Sequence, residues 1–167
     1  MNDTGSRIRR ATPADAAKLA EFGARTFRES FAADNSPEDM RLHLESAWNP
    51  GVQRAELHDP DIDTLIVGHE PQWQGFAQLR AGKVSDGVPS PGSIELWRFY
   101  VDKPWQGQGV AGALMEAAKL RARERGANSM WLGVWERNLR AQAFYRKHGF
   151  TPVGRQGFVL GTGPQAH

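Results

Sequence analysis

Apolar residues recur every three or four positions in the first third of the chain, which is the spacing of one helix face. Thr12 and Ser36 are each followed by a proline and then an acidic residue, a combination typical of helix starts. The turn-forming segment Asn49-Pro50-Gly51 predicts the end of the second helix. The predicted helices are 13–31, 37–48 and one or two turns within 52–57, after a short strand that begins at Ile8.

After residue 60 the pattern changes to continuous or alternating apolar runs, which predict strands. The first two runs are separated by a short loop with Pro71 and predict a hairpin. Segment 81–92 is rich in Gly, Pro and Ser and predicts a surface loop, which is either flexible or forms part of the wall of a substrate site. The predicted strands are 64–68, 75–80, 94–101, 129–134 and a final pair, or a strand and tail, within 151–159; the predicted later helices are 110–125 and 138–148.

The last 70 residues therefore read strand, helix, strand, helix, strand. That order predicts a right-handed crossover and parallel pairing of 94–101 with 129–134, whereas the hairpin adds antiparallel strands. We expect an α/β (α+β) fold with a mixed sheet flanked by helices. A length of 167 residues fits one domain, 1–167.

The composition narrows the classes of protein to consider. Lys and Arg number 21 against 19 Asp and Glu, a balance that does not indicate nucleic acid as the main partner. The chain has no cysteine, so disulfides and thiolate metal sites are excluded. The chain contains no run of about 18 apolar residues, so no membrane span is predicted. Its polar, basic start predicts no signal peptide. We expect no nucleic acid, no membrane, no metal and a cytoplasmic location.

A glycine-rich turn, Gln106-Gly107-Gln108-Gly109-Val110-Ala111, lies between the strand 94–101 and the helix 110–125. A strand, a glycine turn and a helix N-terminus together form a nest of free backbone N–H groups that prefers anions, above all a pyrophosphate. A nucleoside-triphosphate loop is disfavoured because no Lys-Ser or Lys-Thr follows the glycines. A dinucleotide site matches in its glycines but lacks the acidic residue on the next strand. A loop that wraps the pyrophosphate of coenzyme A and a plain connecting turn remain.

Two blocks distinguish these alternatives, the segments 100–111 (YVDKPWQGQGVA) and 136–150 (ERNLRAQAFYRKHGF). In this order and spacing they resemble the GNAT superfamily of N-acetyltransferases. A finer resemblance to the bacterial PaiA branch, which is associated with spermine and spermidine acetylation, lies in segments 26–31, 35–40 and 131–136. The resemblance implies a mixed, mostly antiparallel central sheet in which the fourth and fifth strands are parallel and splayed. It also implies acetyl-CoA as the co-substrate.

The resemblance implies roles for residues of both blocks. The pantetheine arm of acetyl-CoA would lie between the splayed strands and the phosphates would lie on the glycine turn, with Lys147 as a candidate for the 3′-phosphate. Asn138 would cap a helix and also reach the pantetheine. The implied cofactor-binding residues are Phe99, Tyr100, Val101, Gln106, Gly107, Gln108, Gly109, Val110, Ala111, Asn138 and Lys147.

Two residues carry the implied catalysis. The hydroxyl of Tyr145 would protonate the departing thiolate or stabilise its charge, as an alternative to a purely structural aromatic. Glu95 would remove a proton from the amine, often through water, as an alternative to an ordinary strand carboxylate paired with Arg80 or Arg98. Strand alternation predicts that Glu95 shares a face with Trp97 and Phe99.

The acceptor is expected to be an amine of a small molecule or of a peptide. Acidic residues of the first two helices could favour a polyamine, although their pattern favours ordinary solvated helix faces. A protein N-terminus, a lysine or a drug amine remain open, as does a non-catalytic coenzyme A-binding regulator on the same fold. Relatives continue with a further strand beyond the position of Gly161, so we expect that edge to be filled by missing sequence or by a partner, as in a homodimer.

Overall fold

The computed structural model describes residues 7–83, 92–134 and 137–153, and the backbone of 157–161. Most of the loop expected at 81–92 and its proposed role as a substrate wall lie outside these ranges, as does Glu136. The helices are α1 (Ala16–Phe31), α2 (Pro37–Ala47), α3 (Pro50–His58), α4 (Val110–Glu124) and α5 (Leu139–Lys147). The strands are β1 (Ile8–Arg10), β2 (Ile62–His69), β3 (Gln72–Arg80), β4 (Ser93–Val101), β5 (Ser129–Gly133), β6 (Thr151–Pro152) and β7 (Gly157–Gly161).

The strands form a seven-stranded sheet in the order β1-β2-β3-β4-β5-β7-β6. The pairing of β4 with β5 is parallel, and the other neighbours pair antiparallel. The predicted fold class is confirmed. Strand β7 lies between β5 and β6 and pairs with both. The further strand expected beyond Gly161 lies outside the described residues.

Hydrophobic cores cover both faces of the sheet. One contains the apolar face of α4 with Leu79, Leu96 and Met130, and the other contains side chains of α1 and α2 packed on Phe76 and Trp73. Strands β3 and β4 contribute side chains to both cores, and the ends of these strands approach the glycine turn.

Helix α3 is longer than the one or two turns predicted for 52–57. Asn49 does not simply end α2: its Oδ1 accepts a hydrogen bond from the N–H of Val52 at 2.9 Å, and Pro50 occupies the first helical position. A cap and a proline at the first position favour a new helix, so the segment interpreted as a stop also starts α3.

Candidate active site

The two parallel strands β4 and β5 separate after three paired positions. Ser93, Ile94 and Glu95 pair with Ser129, Met130 and Trp131, and the described pairing ends there although β4 continues to Val101. A cleft opens between the strands beyond this point. Its walls contain residues of α1, β4, the glycine turn, β5 and α5: Ser30, Phe31, Leu96, Trp97, Arg98, Phe99, Tyr100, Val101, Gln106, Gly133, Val134, Asn138, Ala141 and Tyr145.

A β-bulge at Trp97 changes which side chains share a face of β4. Leu79 pairs with Leu96 and Gln78 pairs with Arg98, so Trp97 has no partner on β3. The predicted shared face was therefore wrong for Phe99. Leu96 and Phe99 contact the α4 core on one face of the sheet, whereas Glu95 and Arg98 lie on the opposite face.

Beyond the bulge, the backbone of β4 presents hydrogen-bonding groups to the cleft. The N–H of Asp102 donates to the carbonyl of Gln74 at 2.8 Å, so Asp102 and, two residues earlier, Tyr100 direct their backbone groups towards β3. Phe99 and Val101 alternate with them and direct their backbone groups towards the cleft. Because β5 has diverged here, these groups form an open strand edge that can accept an extended ligand.

The glycine turn forms the predicted nest at the N-terminus of α4. Gly107 and Gly109 have φ angles of 77° and 85°, and a Cβ on either would have no atom within 4 Å. Gly109 is the N-cap and supplies no side chain, and the first intrahelical bond is that of the Ala113 N–H to the Gly109 carbonyl, 3.1 Å. The N–H groups of Val110, Ala111 and Gly112 therefore have no acceptor within α4 and suit an anion.

The side chains of the turn stabilise its shape. Gln106 Nε2 donates to the Val101 carbonyl at 2.9 Å, and Gln108 Nε2 donates to the Pro104 carbonyl at 2.8 Å. Val110 is buried in the α4 core, whereas Gly107 and Gln108 are exposed. The turn therefore combines a fixed backbone with an accessible surface.

Tyr145 lies on the wall of the cleft opposite β4. Its ring packs edge-to-face on Phe99, Phe144 and Phe150, with ring centroids 6.4, 5.5 and 5.7 Å away. Burial, aided by the neighbouring Tyr100, raises the pKa of the Tyr145 hydroxyl well above its usual value. The group is therefore a neutral hydrogen-bond donor at physiological pH.

The two ends of α5 lie beside the cleft and beside the nest. At the first end, the Oδ1 of Asn138 accepts a hydrogen bond from the N–H of Ala141 at 3.1 Å, which confirms the predicted cap. At the other end, a Cβ on Gly112 would lie 3.9 Å from His148, so the last turn of α5 is adjacent to the first turn of α4. Lys147 is exposed on that turn, and its contact with a phosphate stays a prediction.

Glu95 lies on the last paired position of β4, before the cleft opens. Its Oε1 accepts a hydrogen bond from Arg80 Nε at 2.8 Å, and both side chains are largely buried. Glu95 is not among the residues that line the cleft. The described lining residues include no carboxylate and no imidazole, so Glu95 could act on an amine in the cleft only through an intervening group such as water.

Arg98 is a prominent cleft residue that the sequence suggested only as a partner of Glu95. Its guanidinium carbon lies 3.7 Å from the ring centroid of Trp97 and 4.5 Å from that of Trp48. Its Nη1 donates to Glu56 Oε1 at 2.8 Å and to Gln78 Oε1 at 3.0 Å. An arginine flanked by aromatic residues in a strand was the available signal, but nothing in the sequence indicated that Trp48 would reach it.

Three of the acidic residues on α1 and α2 form ion pairs with arginines on the same helices. Glu29 pairs with Arg25, and Glu38 and Glu45 both pair with Arg41. All three carboxylates are exposed, so the interpretation as solvated helix faces accounts for them.

Among the described residues, no helix has both the length and the apolar character that crossing a bilayer requires. The same part of the chain brings no three His, Asp or Glu side chains together in a group that could hold a metal ion.

Comparison with known proteins agrees with this geometry. The profile described as "Acetyltransferase (GNAT) family" matches residues 24–150. An uncharacterized N-acetyltransferase from Lactobacillus delbrueckii subsp. lactis is 31% identical over 158 residues, which is 95% of this chain and 91% of that protein. An uncharacterized N-acetyltransferase from Mycobacterium tuberculosis is 33% identical over 147 residues, covering 88% of this chain and 90% of the relative.

Among solved structures, the PaiA N-acetyltransferase of Thermoplasma acidophilum in complex with coenzyme A is similar in fold, with a TM-score of 0.75 at 19% sequence identity. The alignment covers 92% of this chain and 95% of the PaiA chain.

Proposed function

The chain belongs to the GNAT family of N-acetyltransferases, and from this membership we propose that it transfers the acetyl group of acetyl-CoA directly to an amine. The observation that carries the proposal is the combination of an open β4 edge with an N–H nest at the end of the same cleft. An extended arm that ends in a pyrophosphate fits both features, because one supplies strand-like hydrogen bonds and the other supplies anion-binding N–H groups.

Acetyl-CoA supplies an activated thioester, and the chain's own residues would position it. The backbone groups of Phe99 and Val101 would hold the arm, and the N–H groups of residues 107–111 would hold the diphosphate. The N–H of Gln106, which was predicted to take part, already donates to the Lys103 carbonyl at 3.2 Å. Asn138 supports this arrangement because its cap uses only Oδ1, which leaves the amide N–H₂ as a donor on the cleft wall. Lys147 would add a cation for the 3′-phosphate.

In the reaction, a C–N bond forms to the acetyl carbonyl, the C–S bond breaks and the amine loses a proton. The N–H of Val101 would stabilise the negative charge that develops on the carbonyl oxygen. A tyrosine with a raised pKa is a weaker acid than a thiol, whose pKa is about 8.5. Tyr145 would therefore stabilise the departing thiolate by donating a hydrogen bond rather than by losing its proton.

The base role of Glu95 stays a prediction, and its ion pair supplies a matched control. Glu95→Gln and Arg80→Gln both remove the same ion pair, but only the first removes a carboxylate. If Glu95 is the base, Glu95→Gln lowers kcat/KM by about 100-fold or more and Arg80→Gln does not. Equal small effects of the two variants would assign the pair a structural role.

The direct test of the function is release of free thiol from acetyl-CoA in the presence of a broad panel of amines, with mass spectrometry to identify the acetylated product. Transfer to at least one amine is expected, without an acetylated enzyme intermediate. Tight binding of coenzyme A without transfer to any amine would contradict the enzymatic function and favour the regulator.

A further inference from the structure

We propose that the acceptor carries a carboxylate in addition to its amine, and that Arg98 binds this carboxylate. The inference rests on the proposed function, because it names the class of acceptor that the same cleft would take. It differs from the polyamine expectation, since a polyamine has no anionic group.

The first observation is how completely the guanidinium of Arg98 is fixed. Its carbon lies close to the rings of both Trp97 and Trp48, and the side chain is only 14% exposed. These two aromatic contacts and the hydrogen bonds to Glu56 and Gln78 restrict the movement of the group. An arginine fixed in advance loses little conformational entropy when it binds a ligand.

The second observation is which donors those bonds use. Nη1 is the donor of both hydrogen bonds, and within the described ranges no protein acceptor contacts Nε or Nη2. These two nitrogens form the side of the guanidinium that binds a carboxylate through two parallel hydrogen bonds. Because Arg98 lines the cleft, a ligand in the cleft can reach this residue.

The third observation is the charge of the surroundings. Glu56 balances Arg98, and Glu95 balances Arg80 on the far face of Trp97, where the Arg80 guanidinium carbon lies 3.8 Å from the ring centroid. The described cleft lining has no carboxylate to attract a polycation. Selection therefore rests on the geometry of the remaining donors rather than on net charge.

The position of Arg98 also limits the size of the acceptor. Arg98 lies three positions before Val101, which is about 10 Å along β4. A molecule whose amine lies at the acetyl group and whose carboxylate lies at Arg98 therefore has several bonds between the two groups. A short peptide or an amino acid with a side-chain amine has this spacing.

The test compares acceptors that differ only in the carboxylate: lysine with cadaverine, and glycylglycine with its C-terminal amide. Thiol release from acetyl-CoA is measured for the wild type and for Arg98→Lys, which keeps the charge but lacks the planar pair of donors. The wild type should prefer the carboxylate-bearing member of a pair by about 10- to 100-fold in kcat/KM. The preference should fall below about threefold in Arg98→Lys.

A preference below threefold in the wild type, or one that persists in Arg98→Lys, would overturn the inference while leaving acetyl transfer intact. If neither pair is acetylated, calorimetric binding of N-acetylglycylglycine and of its amide to the coenzyme A-loaded protein decides the role of Arg98. Stronger binding of the acid that is lost in Arg98→Lys would support the inference, and equal binding would refute it. Thermal melting of Arg98→Lys, with and without acetyl-CoA, verifies that the variant is folded.

Discussion

Replacing Gly23 with alanine tests how tightly α1 packs on the residue that supports Arg98. A Cβ on Gly23 would lie 2.2 Å from Cε3 and Cζ3 of Trp48 and 2.7 Å from its Cη2. Trp48 cannot easily move away, because it is 5% exposed and packs edge-to-face on Phe76 at 5.7 Å and over Arg98 at 4.5 Å.

Two effects of opposite sign determine how much Gly23→Ala changes the free energy of unfolding. A helical glycine replaced by alanine gains about 0.5–1 kcal/mol from helix propensity. Overpacking of a filled core costs about 1–3 kcal/mol, and more where a large ring must shift. The clash should dominate, so Gly23→Ala should lower the free energy of unfolding by about 1–2 kcal/mol. For a chain of this size that corresponds to roughly 2–8 °C in Tm.

Gly112→Ala is the matched control, because Gly112 is also helical but its Cβ would meet only His148 at 3.9 Å, an ordinary contact. Thermal and urea denaturation should show a small gain for Gly112→Ala and a loss for Gly23→Ala. An unchanged or raised Tm in Gly23→Ala would refute the reasoning, since it would mean that Trp48 moves aside without cost.

Two further predictions concern the cleft and the end of β4. Tyr145→Phe should lower kcat by about 10- to 100-fold, because the hydrogen bond to the thiolate is lost, and should leave acetyl-CoA binding unchanged in calorimetry; an unchanged kcat would contradict the proposed role. Hydrogen bonds from Arg25 hold the pKa of Asp102 below its usual value. The pair therefore stabilises the fold fully above the unfolded-state pKa of about 3.9, and this stabilisation is lost as the pH falls through the lower folded-state pKa. Urea denaturation should show Arg25→Gln destabilising at pH 7, with a difference that shrinks as the pH falls below about 4; a difference independent of pH would contradict this explanation.

The fold could be predicted from sequence where periodicity and caps agreed. The strand–helix order of the last third gave the parallel pairing of β4 with β5, and Asn138 gave the start of α5. The predicted helix boundaries were wrong where the same residues end one helix and begin the next. Asn49 and Pro50 are turn-forming residues by type, but they end α2 and begin α3 within the same few positions.

The site was partly predictable for a different reason. The glycine turn can be recognised in the sequence, because its positive φ angles require glycine at fixed positions, including the N-cap of α4. The bulge at Trp97 has no such signal, and one unpaired residue moved Glu95 to the other face from Phe99. The environment of Arg98 depends on Trp48, which is distant in sequence and reaches Arg98 only in the folded chain.

The central claim, that the nest and cleft hold acetyl-CoA, is tested most directly by calorimetric titration of acetyl-CoA into the wild type and two glycine variants. Gly109 and Gly126 lie at opposite ends of α4 with φ angles of 85° and 83°, and a Cβ on either would meet no atom within 4 Å. Alanine at either position should therefore cost a similar strain of about 1–2 kcal/mol in stability. The wild type is expected to bind acetyl-CoA, Gly109→Ala to bind it about tenfold more weakly, and Gly126→Ala to bind it like the wild type. No heat of binding to the wild type, or equal weakening in both variants, would contradict the central claim.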